Sequence, residues 1–330
     1  MKTYGFVNND LDSLTEFIKD TPEPTGQDVL VKIAGVSINP VDIATRKKIA
    51  GQLTDPKVVG FDGYGKIVKK GSDANKFQIG DTVFFAGDYS RDGSYQEFEL
   101  IDQRLIAKAP KTVSIEDSVS MPLITLTASE LLYEKLKIDP KADNSQKTVL
   151  IINGAGGVGS IAVQLAHLAG LRVIATATGE KVEWIKKLGA DQVIDHHHDL
   201  IKQMHDLKIK NVDYILGLSD NDPHWNEITE LIKPFGTFAT ITNLRESSVA
   251  DLKNKSVNFN WEWMFTKAFY NLDSMSTQGD YLEKLANDLD SGVIKSTTTK
   301  IIRGFDLESL KAATKIVEAG HMKGKVVVIA

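Results

Sequence analysis

The stretch NGAGGVGS (153–160) carries glycines at Gly154, Gly156 and Gly159, with Ala155, Gly157 and Val158 between them. It follows the apolar run TVLII and leads into IAVQLAHLAG. Between a strand and a helix, Gly154 permits the tight turn and Gly156 lets the backbone approach a pyrophosphate. Gly159 lets helix and strand pack closely. The amides of the first helical turn and the helix dipole then face the phosphates. This is the chemistry of dinucleotide binding, and four further strand–helix units behind the turn support it. The second strand ends in ATATGEK, with no carboxylate where an NAD binder bonds the ribose 2′-OH. Thr178 can donate a hydrogen bond there and Lys181 can pair a 2′-phosphate. Glu180 reads as an acid complementing the dipole of the helix it begins. The reading is NADPH, with NADH second.

Other constellations are weaker. The chain has no cysteine, which excludes disulfides and every thiolate-ligated metal site. HHHD (196–199) has the composition of a metal cluster. Adjacent histidines are expected to point in different directions, however, and no second ligand group lies at i+4. It reads as solvated residues at a helix start, and no metal is expected. Tyr133-x-x-x-Lys137 has the spacing of the short-chain dehydrogenase pair but lies upstream of the glycine turn, where that fold never places it. No GxSxG elbow or partnered Ser/His/Asp set is present. What remains is hydride transfer, in which the cofactor supplies the reactive carbon and the protein supplies position and polarity.

The elements that must position this chemistry have two textures. The 330 residues exceed one ordinary core and suit two domains. Residues 1–120 are short strands broken by Gly, Pro and Asp: DVLVKIAGVSI (28–38), GYGKIVKKG (63–71), GDTVFFAG (80–87) and SYQEFELI (94–101). No helix-period segment of useful length interrupts them, so a β-rich, barrel-like domain is expected. Beyond residue 121, buried-strand runs TVLIIN, LRVIATA, QVID, VDYILG and GTFATI alternate with helical VGSIAVQLAHLA, EKVEWIKKLG, HDLIKQMHDLK and WNEITELIKPF. That alternation predicts an α/β fold with a parallel sheet and right-handed crossovers. VNFNW (257–261) adds an edge strand. The tail, with helices YLEKLANDLDSG and DLESLKAATKIVEAG and the strand KVVVIA, breaks the alternation and is expected to return to the first domain. A net charge of −5 gives no reason to expect nucleic acid or an anionic membrane as partner. The N-terminus has acids where a signal peptide needs an apolar stretch, so a cytoplasmic protein is expected.

The order of these parts resembles the medium-chain dehydrogenase/reductases. SINPVDIATR (37–46), VVGFDGYGKIV (58–68), FQIGDTVFFAG (77–87), GSYQEFELID (93–102), MPLITLTASELL (121–132) and GKVVVIA (324–330) all fall in that superfamily's order. Within it the chain is most similar to the zinc-independent quinone oxidoreductases, and to a bacterial "zinc-type alcohol dehydrogenase-like" subgroup sharing VIDH (193–196) and WEWMFT (261–266). The resemblance implies a doubly wound Rossmann sheet plus a GroES-like barrel domain. Its boundaries fall at 1–122, 123–265 and 266–330, the last returning to the catalytic domain. It places Asn39 and Asp42 near the nicotinamide, Thr127 beside its ribose or amide, His196 beside the adenosine and Lys325 toward the cofactor. Asp62 and Tyr64 are the candidates for proton or hydrogen-bond supply. A zinc enzyme of the family has cysteine where this chain has Asn39 and His-Glu where it has Phe61-Asp62, so the resemblance implies a zinc-free site. Such a site suits quinones and α,β-unsaturated carbonyls, whose enolate oxygen needs only hydrogen bonds. Trp261, Trp263, Met264 and Phe265 offer an apolar wall or a subunit contact. SVNFNW (256–261), at the sheet edge, predicts a homodimer.

Overall fold

The computed structural model describes residues 1–320 and 322–330. The chain divides into two compact units, Met1–Leu126 with Phe265–Ala330, and Thr127–Met264.

The first unit opens with an antiparallel pair the sequence reading missed, β1 (Lys2–Phe6) and β2 (Leu14–Ile18). β3 (Asp28–Ile38) follows and then α1 (Pro40–Lys47). This helix corrects the expectation that none interrupts the early strands. Its buried residues are Asp42, Ile43, Thr45 and Arg46, so the inward face is mostly polar and leaves no apolar period to detect. It starts where it does because Pro40 presets the first helical φ. Asp42 also reaches back to accept the Asn39 N–H at 2.7 Å. β4 (Asp62–Lys70), β5 (Thr82–Phe85), β6 (Phe98–Asp102) and β7 (Ile106–Lys108) come next. The run SYQEFELI is a strand only from Phe98; upstream, Gln96 forms an isolated bridge to Thr3. α2 (Ile115–Val119) and α3 (Pro122–Ser129) follow.

The second unit has β8 (Thr148–Ile152), α4 (Gly157–Leu168), β9 (Arg172–Thr176), α5 (Lys181–Lys187), β10 (Gln192–Ile194) and α6 (Leu200–Asp206). β11 (Val212–Gly217), α7 (Trp225–Leu231), β12 (Ile232–Thr240) and β13 (Asn258–Trp261) complete it. Every pairing is parallel, in the order β10-β9-β8-β11-β12-β13. That is the doubly wound dinucleotide order, with a switch point beside β8. One expected helix ended too late. α7 stops at Leu231, and IKPF belongs to β12, because Pro234 cannot continue a helix and biases Lys233 toward extended backbone. The core joins Leu150, Ile174, Ile215 and Phe238 of the strands to Leu200, Met204, Ile228 and Leu231 of the helices.

The tail supplies α8 (Thr266–Phe269), α9 (Ser276–Asp290), β14 (Thr298–Arg303), α10 (Leu307–Glu318) and β15 (Lys325–Ile329). β15 pairs antiparallel with β3 and parallel with β14. The first unit's main sheet therefore runs β14-β15-β3-β4-β5-β7, with β6 also on β3. No helix among the described residues is long and apolar enough to cross a membrane.

Candidate active site

In the first unit, β3 holds β4 on one side and β15 on the other, with Ser37 opposite Asp62 and Ile38 opposite Val326. This brings the starts of β4, β15 and α1 to one place. Asn39, Asp42, Asp62 and Lys325 meet there, each at most 3% exposed. Asp62 Oδ2 accepts from Asn39 Nδ2 at 2.8 Å and from Lys325 Nζ at 3.3 Å. Asp62 Oδ1 accepts the Leu123 N–H, at the start of α3, at 2.8 Å. Three donors on one carboxyl favour its ionised form. The Lys325 ammonium also donates to Ile38 O at 3.2 Å and to Asn39 Oδ1, so all three of its protons have acceptors.

Burial sets the titration of this group. It pushes the Asp62 carboxyl up and the Lys325 ammonium down, and the attraction between the two opposes both shifts. Asp42 is pushed up to about 7, first by burial, with the Asn39 N–H and Lys325 pulling the other way. Tyr64 is not part of this network. Its ring packs against Val119, Val327 and Ile329, and its hydroxyl is raised by burial.

The family's zinc enzymes raise the question of a metal here, and this donor set does not fit one. Lys325 places a cation of its own among Asn39 Oδ1, Asp62 Oδ2 and Ile38 O. Phe61, 2% exposed, stacks on Tyr89 at 5.6 Å and leans on Phe265 at 4.6 Å. An occupied amide and a packed phenyl ring cannot replace thiolate and imidazole.

The second unit fits a dinucleotide. A Cβ at Gly159 would come within 2.1 Å of Asn153 O, and one at Gly154 within 2.7 Å of the Ala175 Cβ. Side chains at either position would push α4 off β8 or block the turn. Ser160 is the first amide with a helical acceptor, Gly156 O at 2.9 Å. That leaves the N–H groups of Gly157, Val158 and Gly159 at the helix start, where a phosphate binds. Ala155 is buried in the turn. At the end of β9, Thr178 and Lys181 are half-buried and Glu180 is exposed at the start of α5. Thr127 is buried on α3.

His196 lies in the turn after β10, half-buried, with its pKa lowered by burial and then by His197. Its ring lies 4.2 Å from that of His197, tilted 39°. The two imidazoles therefore lie side by side, against the expectation that they diverge, because a turn and not a strand carries them.

The sequence reading passed over a second acidic group in this unit. Glu130 and Glu262 are 2% and 5% exposed, and Lys135 Nζ lies 3.3 Å from Glu262 Oε2. Burial and the Glu130 charge raise Glu262. Glu130 opens a π-helical turn, Glu130–Lys135, that continues α3. A lone Glu within MPLITLTASELL was the available signal. The first unit also has a polar cleft of about 370 Å³, lined by Asp28, Arg91, Asp102 and Arg104 among others. Its arginines already pair with Asp28 at 2.8 Å and Asp102 at 2.7 Å, and no predicted site residue lines it.

A doubly wound unit with a glycine turn, and a second unit built around a buried polar cluster, are the parts of a dinucleotide-dependent oxidoreductase fold. The comparisons place it more closely. Residues 25–111 match the alcohol dehydrogenase GroES-like domain family, and residues 157–276 the zinc-binding dehydrogenase family. A zinc-type alcohol dehydrogenase-like protein of Staphylococcus epidermidis is 40% identical over 99% of both chains. The NADPH-dependent alkenal/one oxidoreductase of Arabidopsis thaliana chloroplasts is 30% identical, over 93% of this chain and 73% of that protein. A Rhizobium etli structure provisionally described as a zinc-dependent alcohol dehydrogenase superposes with a TM-score of 0.95 at 35% identity, covering 100% and 98% of the two chains. The Escherichia coli quinone oxidoreductase with NADPH shares the fold, with a TM-score of 0.84 at 23% identity over both whole chains. The chain belongs to the medium-chain dehydrogenase/reductase superfamily, with a Rossmann and a GroES-like domain.

Proposed function

We propose that this protein is an NADPH-dependent reductase of quinones or α,β-unsaturated carbonyls that works without a metal. The observation that carries this reading is the Lys325 ammonium, fixed by Asp62 and Asn39 where a Lewis acid would need ligands. An acceptor that is itself electron-poor suits a site whose polarising groups are hydrogen-bond donors. Bound NADPH supplies a hydride. The β-carbon of an enone accepts that hydride, the electron pair moves to the carbonyl oxygen, and a proton from water completes the saturated product. The name of the Arabidopsis relative, an NADPH-dependent alkenal/one oxidoreductase, supports the same substrate class.

In this reading the amides of Gly157, Val158 and Gly159 hold the pyrophosphate, and Thr178 with Lys181 holds the 2′-phosphate. His196 borders the adenosine and Thr127 the nicotinamide ribose or amide. Asn39, Asp62 and Lys325 act as positioning groups, because their polar side-chain atoms are engaged with one another, and Asp42 positions Asn39 through its backbone N–H. Tyr64, which lies outside that network, is the hydrogen-bond donor for the developing oxyanion. Steady-state assay of quinones, enones and simple aldehydes with each cofactor tests the reading. Turnover of quinones or enones with NADPH, unchanged after dialysis against a chelator, is expected. Turnover of simple aldehydes alone, loss of activity on chelation, or tight NADPH binding with no turnover would overturn it.

A further inference from the structure

We infer that the turn Asp195–His196–His197 is a binding site for a divalent transition metal that favours imidazole, such as zinc or nickel. It lies at the carboxyl end of β10 in the second unit and shares no residue with the Asn39 cluster. Each of the three residues offers one ligand atom, and these atoms all lie within 4.8 Å of one another. Ligands of a tetrahedral zinc at roughly 2.0–2.1 Å stand about 3.3 Å apart. The His197 side chain is exposed and so is free of a packed core that would hold its ring against a ligating position. Two imidazoles and a carboxylate select zinc, nickel or copper over magnesium and calcium, which take all-oxygen sets.

The turn is built firmly enough to present these groups together. Gln203 clamps the Asp195 backbone from both sides: its Oε1 accepts the Asp195 N–H at 2.8 Å and its Nε2 donates to Asp195 O at 2.8 Å. Asp195 Oδ1 accepts the His197 N–H at 2.8 Å, which fixes the carboxylate beside the second ring. The 4.2 Å separation of the two rings holds them on one side of the turn. His196 Nδ1 is buried and has no hydrogen-bond partner among the described residues. A fourth donor is within a short swing, since His198 Nε2 lies 3.7 Å from Asp195 Oδ2.

The test uses the full chain without an affinity tag, stripped with a chelator and dialysed. Calorimetric titration with zinc at pH 7.5 is expected to show one saturable site per chain, and cobalt is expected to give the visible absorption of a low-coordinate nitrogen–oxygen set. His197→Ala removes a ligand from an exposed position and should weaken zinc at least roughly tenfold without changing the melting temperature. Asp195→Asn should weaken it comparably. His205→Ala, on α6 and outside the site, should leave binding unchanged, and magnesium should give no saturable heat. Failure of zinc to saturate overturns the site. So does zinc binding that His197→Ala leaves intact or that His205→Ala abolishes.

Discussion

Lys325 Nζ and Asp62 Oδ2 lie 3.3 Å apart in a buried pair that joins positions 263 residues apart in sequence. The pair ties the first residue of β15 to the first of β4 across β3. Removing one partner of such a pair leaves the other charge without compensation. Lys325→Met is therefore expected to cost about 3–5 kcal/mol in urea denaturation at neutral pH. Part of the loss should return as pH falls, because Asp62 then takes up a proton and buries no charge. A loss below about 1 kcal/mol would mean the pair contributes no more than a surface ion pair.

Asp42 gives the pH dependence a sign. Its folded pKa of about 7 lies above its ordinary value of 3.8. The unfolded chain releases this proton near pH 4, while the folded chain keeps it to about pH 7. The group's contribution is complete below pH 4 and is lost as pH rises through 7. Three units correspond to on the order of 4 kcal/mol. Asp42→Asn keeps an acceptor for the Asn39 N–H and cannot ionise, so its stability relative to the parent should improve as pH rises from 4.5 to 7.5. A stability difference that stays constant over that range would remove Asp42 as its source.

Lys181 tests the choice of cofactor. If it faces the 2′-phosphate, Lys181→Ala loses one charge-assisted contact, worth roughly 1.5–3 kcal/mol. NADPH affinity should drop on the order of tenfold or more, while NADH affinity should hardly change. Fluorescence titration with both nucleotides reads this directly. Equal losses, or a parent protein that prefers NADH, would contradict the assignment.

Much of this molecule was legible in its sequence where local chemistry fixes local structure. Five strands of the parallel sheet, β8 to β12, announced themselves as short apolar runs, because the sheet's centre is buried on both faces and needs no alternation, whereas β13 showed as an alternating edge strand. The glycine turn was readable for a related reason: a Cβ at Gly159 would strike Asn153 O. The polar cluster was legible only through resemblance. Asn39, Asp62 and Lys325 meet through the pairing of β3 with β4 and β15, and nothing local in SINP, GFDG or GKVV specifies that pairing. α1 was hidden because its buried face carries Asp42 and Arg46. The histidines were rightly read as solvated residues ahead of a helix, but the side-by-side placement of the His196 and His197 rings was not legible, because it depends on the Asp195 Asx turn and the Gln203 clamp. Residue spacing does not encode those.

The edge of the parallel sheet sets the last prediction. β13 is the outermost strand, and among the described residues it pairs only with β12. The Glu262 N–H, just past its end, donates to Thr240 O at 2.9 Å. Backbone groups alternate sides along a strand, so Asn260 and Asn258 also turn theirs toward β12, and those of Phe259 and Trp261 point outward. Trp261 is 53% exposed, and neither proline nor lysine interrupts 256–261 to blunt this edge. Pairing of β13 with its copy across a two-fold axis would satisfy the outward groups and cover the indole. Sedimentation is expected to show a dimer or larger. Trp261→Pro removes an outward donor and should shift the protein toward monomer, with the melting temperature of the individual chain little changed. Asn258→Pro should instead lower the melting temperature, because it breaks the ladder to β12. A parent protein that sediments as a monomer at micromolar concentration rules this pairing out.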